Sequence, residues 1–305
     1  MLYPPLDENV RFTRTLPPEG RVRMVLDTDT YNEIDDQFAV VYSLLREDRL
    51  NVEAFYAAPF FNDRSSSPAN GMERSYEELE RLLGLMGVAP KGRVFRGALG
   101  YLPSGDTPCD SEAAVDLIRR AMAPGDEPLY VVAIGAITNV ASAILMKPEI
   151  VSRIAVVWLG GQPLHWSNAR EFNLMQDVPA ARVVFDSGVP LVQIPCFGVA
   201  SHLLTTLPEL EANLSGVSPV ADYLVKIFRD YQEDQRGWAK EIWDLSAVAY
   251  LLEPTWAPCD WVHSPILTDQ VTWSVDRTRH HIRSANFVYR NPIFRDLFDR
   301  LRASA

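Results

Sequence analysis

The sequence predicts an α/β protein with a mostly parallel central sheet flanked by helices. Three observations carry that expectation. Short apolar runs suited to buried strands alternate with longer helical patterns over the first two thirds of the chain, the βαβ rhythm of parallel sheets. The runs are apolar on successive residues, as in Met24-Val25-Leu26, which suits strands covered on both faces. Four aspartates (Asp27, Asp29, Asp35 and Asp36) then crowd the end of the first run, and open α/β sheets place their sites outside the carboxyl ends of their strands.

Taken in order, residues 1–20 (MLYPPLDENVRFTRTLPPEG) are polar and proline-rich and are expected to form an irregular arm. They lack the apolar core of a signal peptide. Strands are expected at Val22–Asp27, Val52–Ala57, Leu129–Ile134, Ile154–Leu159 and Leu191–Ile194. Helical patterns lie at Asp36–Leu45, Glu73–Met86, Ser111–Met122, Thr138–Leu145 and Pro179–Ser187, and Asn62–Gly71 forms a polar loop after the second strand. Beyond Pro195 the pattern turns helical, clearest at Pro219–Gln232 and Trp243–Leu252. Strand-like runs at Val271–Val275 and His280–Ile282 precede a terminal helix near Pro292–Leu301. Nothing there reads as a linker, so residues 21–305 are expected to make a single domain with a largely helical C-terminal cap.

Composition narrows the function classes. With 47% apolar and 23% charged residues in 305, the chain can bury a substantial core. A net charge of −11 argues against nucleic acid or an anionic membrane as partner. No apolar run approaches the ~20 residues that span a bilayer. Cys109, Cys196 and Cys259 are isolated, without CxxC spacing, so neither a disulfide framework nor a zinc site is indicated and a reducing cytoplasm is the default.

The aspartate run carries the chemistry. Carboxylates within a few Å of one another cannot all stay ionised unless a cation or shared protons compensate them. All-oxygen ligation suits Ca²⁺ or Mg²⁺ rather than a thiolate- or imidazole-bound metal. Three further segments are candidates to join it, each with a plain structural alternative. Gly135 with Thr138 and Asn139 can be a glycine turn with an ordinary helix cap. Gly160-Gly161 followed by Glu171-Phe172-Asn173 can hold a polyol, or be a solvated loop. Asp244 opens an apolar helix, where an acid also suits the helix dipole.

Together these four segments, in this order, resemble the inosine-uridine-preferring nucleoside hydrolase family, the nucleoside N-ribohydrolases, from about Val22 to about Leu252. The family's acid pair around one residue appears as Asp27 and Asp29, and its later Asp-Asp as Asp35-Asp36. Its Gly-x-Leu-Thr-Asn appears as Gly135-Ala-Ile-Thr-Asn139, its Ala-Glu-Phe-Asn as Arg170-Glu171-Phe-Asn173, and its Asp-x-x-Ala-Ala as Asp177-Val-Pro-Ala-Ala181. The resemblance implies a Ca²⁺ held by Asp29, Asp36, Asp244 and the main-chain carbonyl of Ile134, completed by the substrate's ribose 2′- and 3′-hydroxyls. It implies Asp35 as general base on a calcium-bound water, and Asn62, Glu171 and Asn173 as ribose contacts. Asp27 would orient a neighbouring ligand or loop. The implied reaction is hydrolysis of the N-glycosidic bond of a nucleoside or related N-riboside, by a homodimer or homotetramer.

Two departures from the family pattern stand out. The usual Pro-Gly-x between the acids is replaced by Thr30-Tyr-Asn-Glu-Ile34, two residues longer, so Asn32 or Glu33 can add a ligand or reshape the pocket. The histidine that often precedes the late aspartate is Trp243 here, which has no acidic proton to give. Stacking of the base on Trp243 or Trp166 is one compensation. His165, six residues before Glu171, is a second candidate, as a sugar contact or replacement acid. Two other functions fit parts of the pattern. One is a non-catalytic nucleoside- or ribose-binding protein on the same fold. The other is a haloacid-dehalogenase-like phosphatase, which shares an apolar strand ending in Asp-x-Asp but wants Thr or Val where Tyr31 stands.

Overall fold

In a computed structural model that describes residues 3–304, strand and helix alternate as the pattern requires. The chain opens with α1 (Glu8–Thr15), β1 (Val22–Thr28), α2 (Asp36–Leu45), β2 (Leu50–Ala57), α3 (Pro68–Leu85) and β3 (Val94–Arg96). It continues through α4 (Glu112–Ala121), β4 (Leu129–Ala133), α5 (Thr138–Met146), β5 (Ile154–Leu159), α6 (Phe172–Gln176), α7 (Val178–Asp186) and β6 (Leu191–Ile194). The last third holds β7 (Leu204–Thr205), α8 (Leu207–Leu214), α9 (Pro219–Tyr231), β8 (Lys240–Glu241) and α10 (Leu245–Leu252). It ends with β9 (Cys259–His263), β10 (Ile266–Leu267), β11 (Trp273–Ser274), β12 (His281–Ala285) and α11 (Arg290–Ala303).

The main sheet has eight strands in the order β3-β2-β1-β4-β5-β6-β12-β9. All its pairings are parallel except that of β9 with β12. Successive side chains of a strand point to opposite faces, and both faces are buried here. Met24 and Leu26 enter one core with Phe38, Leu79 and Phe228, while Val25 enters the other with Leu117, Val131 and Trp158. That two-sided burial is why the strands read as continuous apolar runs rather than alternating ones.

Three expectations need correction. The N-terminal arm is not wholly irregular: Asp7 caps α1 by accepting a hydrogen bond from the Asn9 N–H at 2.8 Å. The helix packs against the sheet's far edge, with the Phe12 ring 4.5 Å from that of Trp261. Its prolines flank the helix rather than enter it, and its stability comes from that packing. The polar loop after β2 is shorter than expected, because α3 begins at Pro68 with Ser67 as N-cap, a favoured use of proline. The last third also does more than cap the sheet, since β12 and β9 extend it. β9 (CDWVH) is short and half exposed at an edge, so it lacks the apolar run that marks the inner strands. Among the described residues the three cysteines are free, and no helix is long and apolar enough to cross a membrane.

Candidate active site

Because β1, β4 and β5 run parallel, their carboxyl ends meet on one edge. Asp27 and Asp29 leave β1 there, Ile134 and Gly135 leave β4, and Gly160-Gly161 leave β5. Asp35 and Asp36 arrive at the start of α2 and Asp244 just before α10, all buried. Oxygen atoms of Asp35, Asp36 and Asp244 lie within 4.8 Å of one another, so the three cannot all stay ionised without a cation or shared protons. Asp29 stands beside them and raises the pKa of both Asp36 and Asp244 through its charge.

Burial, then mutual repulsion, sets the electrostatics of this group. Asp36 and Asp244 are held well above the usual carboxylate range by burial first and by their acid neighbours second. Burial pushes Asp29 up to about 8, with the Asn32 amide opposing. Burial likewise pushes Asp35 up to about 6, with the Lys240 ammonium opposing. Asp27 reaches about 7 by burial, countered by the Asn139 amide. Asp29 Oδ1 is buried with no hydrogen-bond partner among the described residues. A hard divalent cation would answer both features at once, supplying positive charge to the trio and a partner to that oxygen. The donor set therefore fits an oxygen-ligated cation.

The segments around the acids are committed to holding them. Thr28 Oγ1 donates to Asp36 Oδ1, and Asn32 Nδ2 donates to Asp29 Oδ2 at 2.7 Å. Asn139 Nδ2 donates to Asp27 Oδ1 at 2.8 Å, while its Oδ1 accepts from the Ala98 N–H at 2.8 Å. Thr138 Oγ1 donates to Asp177 Oδ2 at 2.6 Å. So Thr138 and Asn139 do not cap their own helix; they tie the ends of neighbouring segments together. Gly135 admits no side chain, since a Cβ there would lie 2.9 Å from Asp29 Cγ and Oδ1.

Above the acids opens a cavity of about 360 Å³, within the range of small-ligand sites. Asp35, Asp244 and the Ile134 residue line its floor, and Phe172, Phe197, Tyr231 and Trp243 its walls. Phe197 and Trp243 meet edge to face at 5.2 Å. Glu171 and Asn173 also line it. The Glu171 carboxylate accepts from the N–H groups of Gly161, Asn173 and Leu174. Asn173 Nδ2 donates to the Ile134 carbonyl at 3.1 Å and the Leu159 carbonyl at 3.0 Å, which leaves its Oδ1 to accept from a ligand hydroxyl.

Residues 61–291 match the family described as inosine-uridine preferring nucleoside hydrolase. The chain belongs to that family. The match begins after the acid loop, so the departure at Thr30–Ile34 lies outside it. Pyrimidine-specific ribonucleoside hydrolases of Escherichia coli are 30% identical over 149 residues, 46% of this chain and 48% of theirs. A Klebsiella pneumoniae relative of the same description is 31% identical over the same shares. The chain thus spans about half the length of the curated relatives it matches. Among solved structures, a plant nucleoside hydrolase superposes with TM-score 0.73 at 17% identity over 92% of this chain and 99% of its own. A purine-preferring ribonucleoside hydrolase from Gardnerella vaginalis gives 0.73 at 21% identity over 92% and 98%. These superpositions show the nucleoside hydrolase fold. The family match removes the phosphatase alternative.

In this nucleoside hydrolase family member, two expected contacts lie away from the cavity. Asn62 holds the acid loop instead: its Nδ2 donates to the Asn32 carbonyl at 3.0 Å and its Oδ1 accepts from the Arg64 N–H at 2.9 Å. His165 and Trp166 are exposed and line a separate cavity beside Gly198. Trp243, by contrast, faces the main cavity. The sequence reading missed Lys240, which reaches the cavity from β8 and pairs with Glu33 of the altered loop. Its one available signal was its position four residues before Asp244, in a chain with few lysines.

Proposed function

We propose that this protein hydrolyses the N-glycosidic bond of a nucleoside or related N-riboside, giving ribose and free base, with Ca²⁺ as cofactor. The observation that carries the reading is the convergence of three buried carboxylates within 4.8 Å, two of which, Asp35 and Asp244, line the floor of an aromatic-walled cavity. Asp36, Asp244, Asp29 and the Ile134 carbonyl would hold the cation. When bound it would polarise water and fix the ribose hydroxyls.

The chain's own groups divide the remaining work. Glycosidic cleavage builds positive charge on the ribosyl ring, and the surrounding acceptors stabilise it electrostatically. Asp35 lines the cavity floor beside the acids that would hold the cation, where a carboxylate can accept a proton from an attacking water. Asn173 Oδ1 would receive a ribose hydroxyl, with the Asn173 amide itself fixed by two carbonyls. Glu171, bound by three N–H groups, sets the turn that presents it. The aromatic walls shape a dry slot for the base.

The test is incubation with a nucleoside panel, with and without a chelator, following free base and reducing sugar. Turnover that stops with chelator and returns with Ca²⁺ is expected. Asp35→Asn should lower kcat by about 10²-fold or more while Ca²⁺ and ligand still bind. Absence of turnover on every riboside, together with tight riboside binding unchanged in Asp35→Asn, would replace hydrolysis with the binding-protein function.

A further inference from the structure

Breaking a C1′–N bond leaves its electron pair on the base, and that charge must be met. Trp243 offers only a ring face and an indole N–H to the slot, so the question is what else the slot contains. Among the described residues lining the cavity, Lys240 is the only cationic side chain, set against several carboxylates. The residue is 8% exposed, so its charge acts in a largely water-excluded wall. The Nζ lies 5.9 Å from the centroid of the Tyr231 ring, on the aromatic side of the cavity.

The ammonium is anchored rather than free to swing. It donates to Glu33 Oε2 and to the Glu241 carbonyl at 3.3 Å, and an ammonium carries three hydrogens. One donor is therefore left over, on a side chain that lines the cavity. Strand pairing holds its backbone, with Lys240 opposite Thr205 in the β7–β8 ladder. The pairing with Glu33 places this charge through the very loop that departs from the family pattern.

We infer that Lys240 is the catalytic residue that receives the departing base, holding the base's developing negative charge through its free N–H. The inference rests on the N-riboside reading and names the substrates as nucleosides whose base presents a ring nitrogen or carbonyl acceptor. In the step, the C1′–N bond breaks with its electron pair going to the base nitrogen. The water oxygen bonds to C1′, and its proton goes to Asp35. The base remains paired with the Lys240 ammonium until it takes a proton from solvent water, and Asp35 returns its proton to solvent. Burial opposes the charge on this lysine, but the Asp35 and Glu33 carboxylates outweigh it and hold the pKa above the ordinary lysine value, so it acts by charge and not by giving up its proton.

The experiment compares Lys240→Met with wild type on two substrates, a natural nucleoside and 4-nitrophenyl riboside. The second leaves as a stabilised phenolate that needs no cationic partner. Lys240→Met should lose about 10²–10³-fold in kcat on the nucleoside, the usual worth of one charge-stabilising donor, and stay within about threefold on the nitrophenyl riboside. Lys240→Arg, which keeps the charge, should recover part of the nucleoside activity. Retained nitrophenyl activity also reports that the variant is folded. Equal loss on both substrates would mean that Lys240 only positions Asp35 and the loop, and would overturn the assignment. Unchanged nucleoside turnover would overturn it as well. A wild-type protein inactive on both substrates would instead refute the N-riboside reading beneath it.

Discussion

Gly135→Ala tests how closely the turn after β4 is fitted to the acid group. A Cβ at this position would sit 2.9 Å from Asp29 Cγ and Oδ1 and 3.2 Å from Asp29 Cβ. Carbon contacts relax near 3.5 Å, so the carboxylate must withdraw by about 0.5 Å. It has little freedom to do so, because the Asn32 amide holds Oδ2 at 2.7 Å. The φ of Gly135 is not positive, so alanine brings no backbone strain and the effect is steric. Overpacking a buried position costs about 1–3 kcal/mol, and a sub-ångström to 1 Å misplacement of a catalytic group costs about 10–10²-fold in rate. Calorimetric titration with Ca²⁺ alone, thermal melting and nucleoside turnover should all fall together. A variant with lower melting temperature but wild-type Ca²⁺ affinity would refute the claim that this glycine exists to admit Asp29.

Gly84→Ala should have the opposite sign. It lies in α3, and a Cβ added there would meet no atom within 4 Å, so alanine should add about 0.4–1 kcal/mol in chemical denaturation, and a loss would count against it. Asn139→Ala removes the donor to Asp27 and the acceptor for the Ala98 N–H, leaving buried groups unpaired. A loss of about 2–4 kcal/mol is expected, and less than 1 kcal/mol would show that water replaces the amide. His280 is lowered from 6.5 to about 4 by burial first and by Arg11 and Arg279 second. Below pH 6.5 the unfolded chain takes up a proton that the folded chain refuses. Stability is then lost as pH falls from 6.5 to about 4, by about 2–3 kcal/mol. Denaturation of wild type and His280→Gln across that window should show a smaller loss in the variant, and parallel curves would refute the assignment.

Much of the fold was legible because the inner strands are buried on both faces. Val22, Leu129, Ile154 and Leu191 all begin strands where the apolar runs placed them. α2 at Asp36–Leu45 has the bounds that its all-round apolar pattern indicated. The edge elements were not legible. β3, with three residues, and β9, half exposed, have too little apolar surface to stand out. α1 hides between prolines and depends on Trp261, far away in sequence.

The site divides in the same way. Sequence alone determined the acids and their neighbours, because each lies at a strand end or helix start whose position the local pattern fixes. Only the tertiary structure decided which of them converge. Asp244 reaches Asp35 and Asp36 because α10 packs against α2 in the core. His165 and Asn62 fall away from the cavity, since their direction is set by loop paths that local pattern does not encode. Lys240 faces Glu33 across 207 positions of chain, a pairing fixed by packing and by electrostatic need in a wall of carboxylates. Local chemistry named the acids, and the packing of distant segments set a lysine beside them.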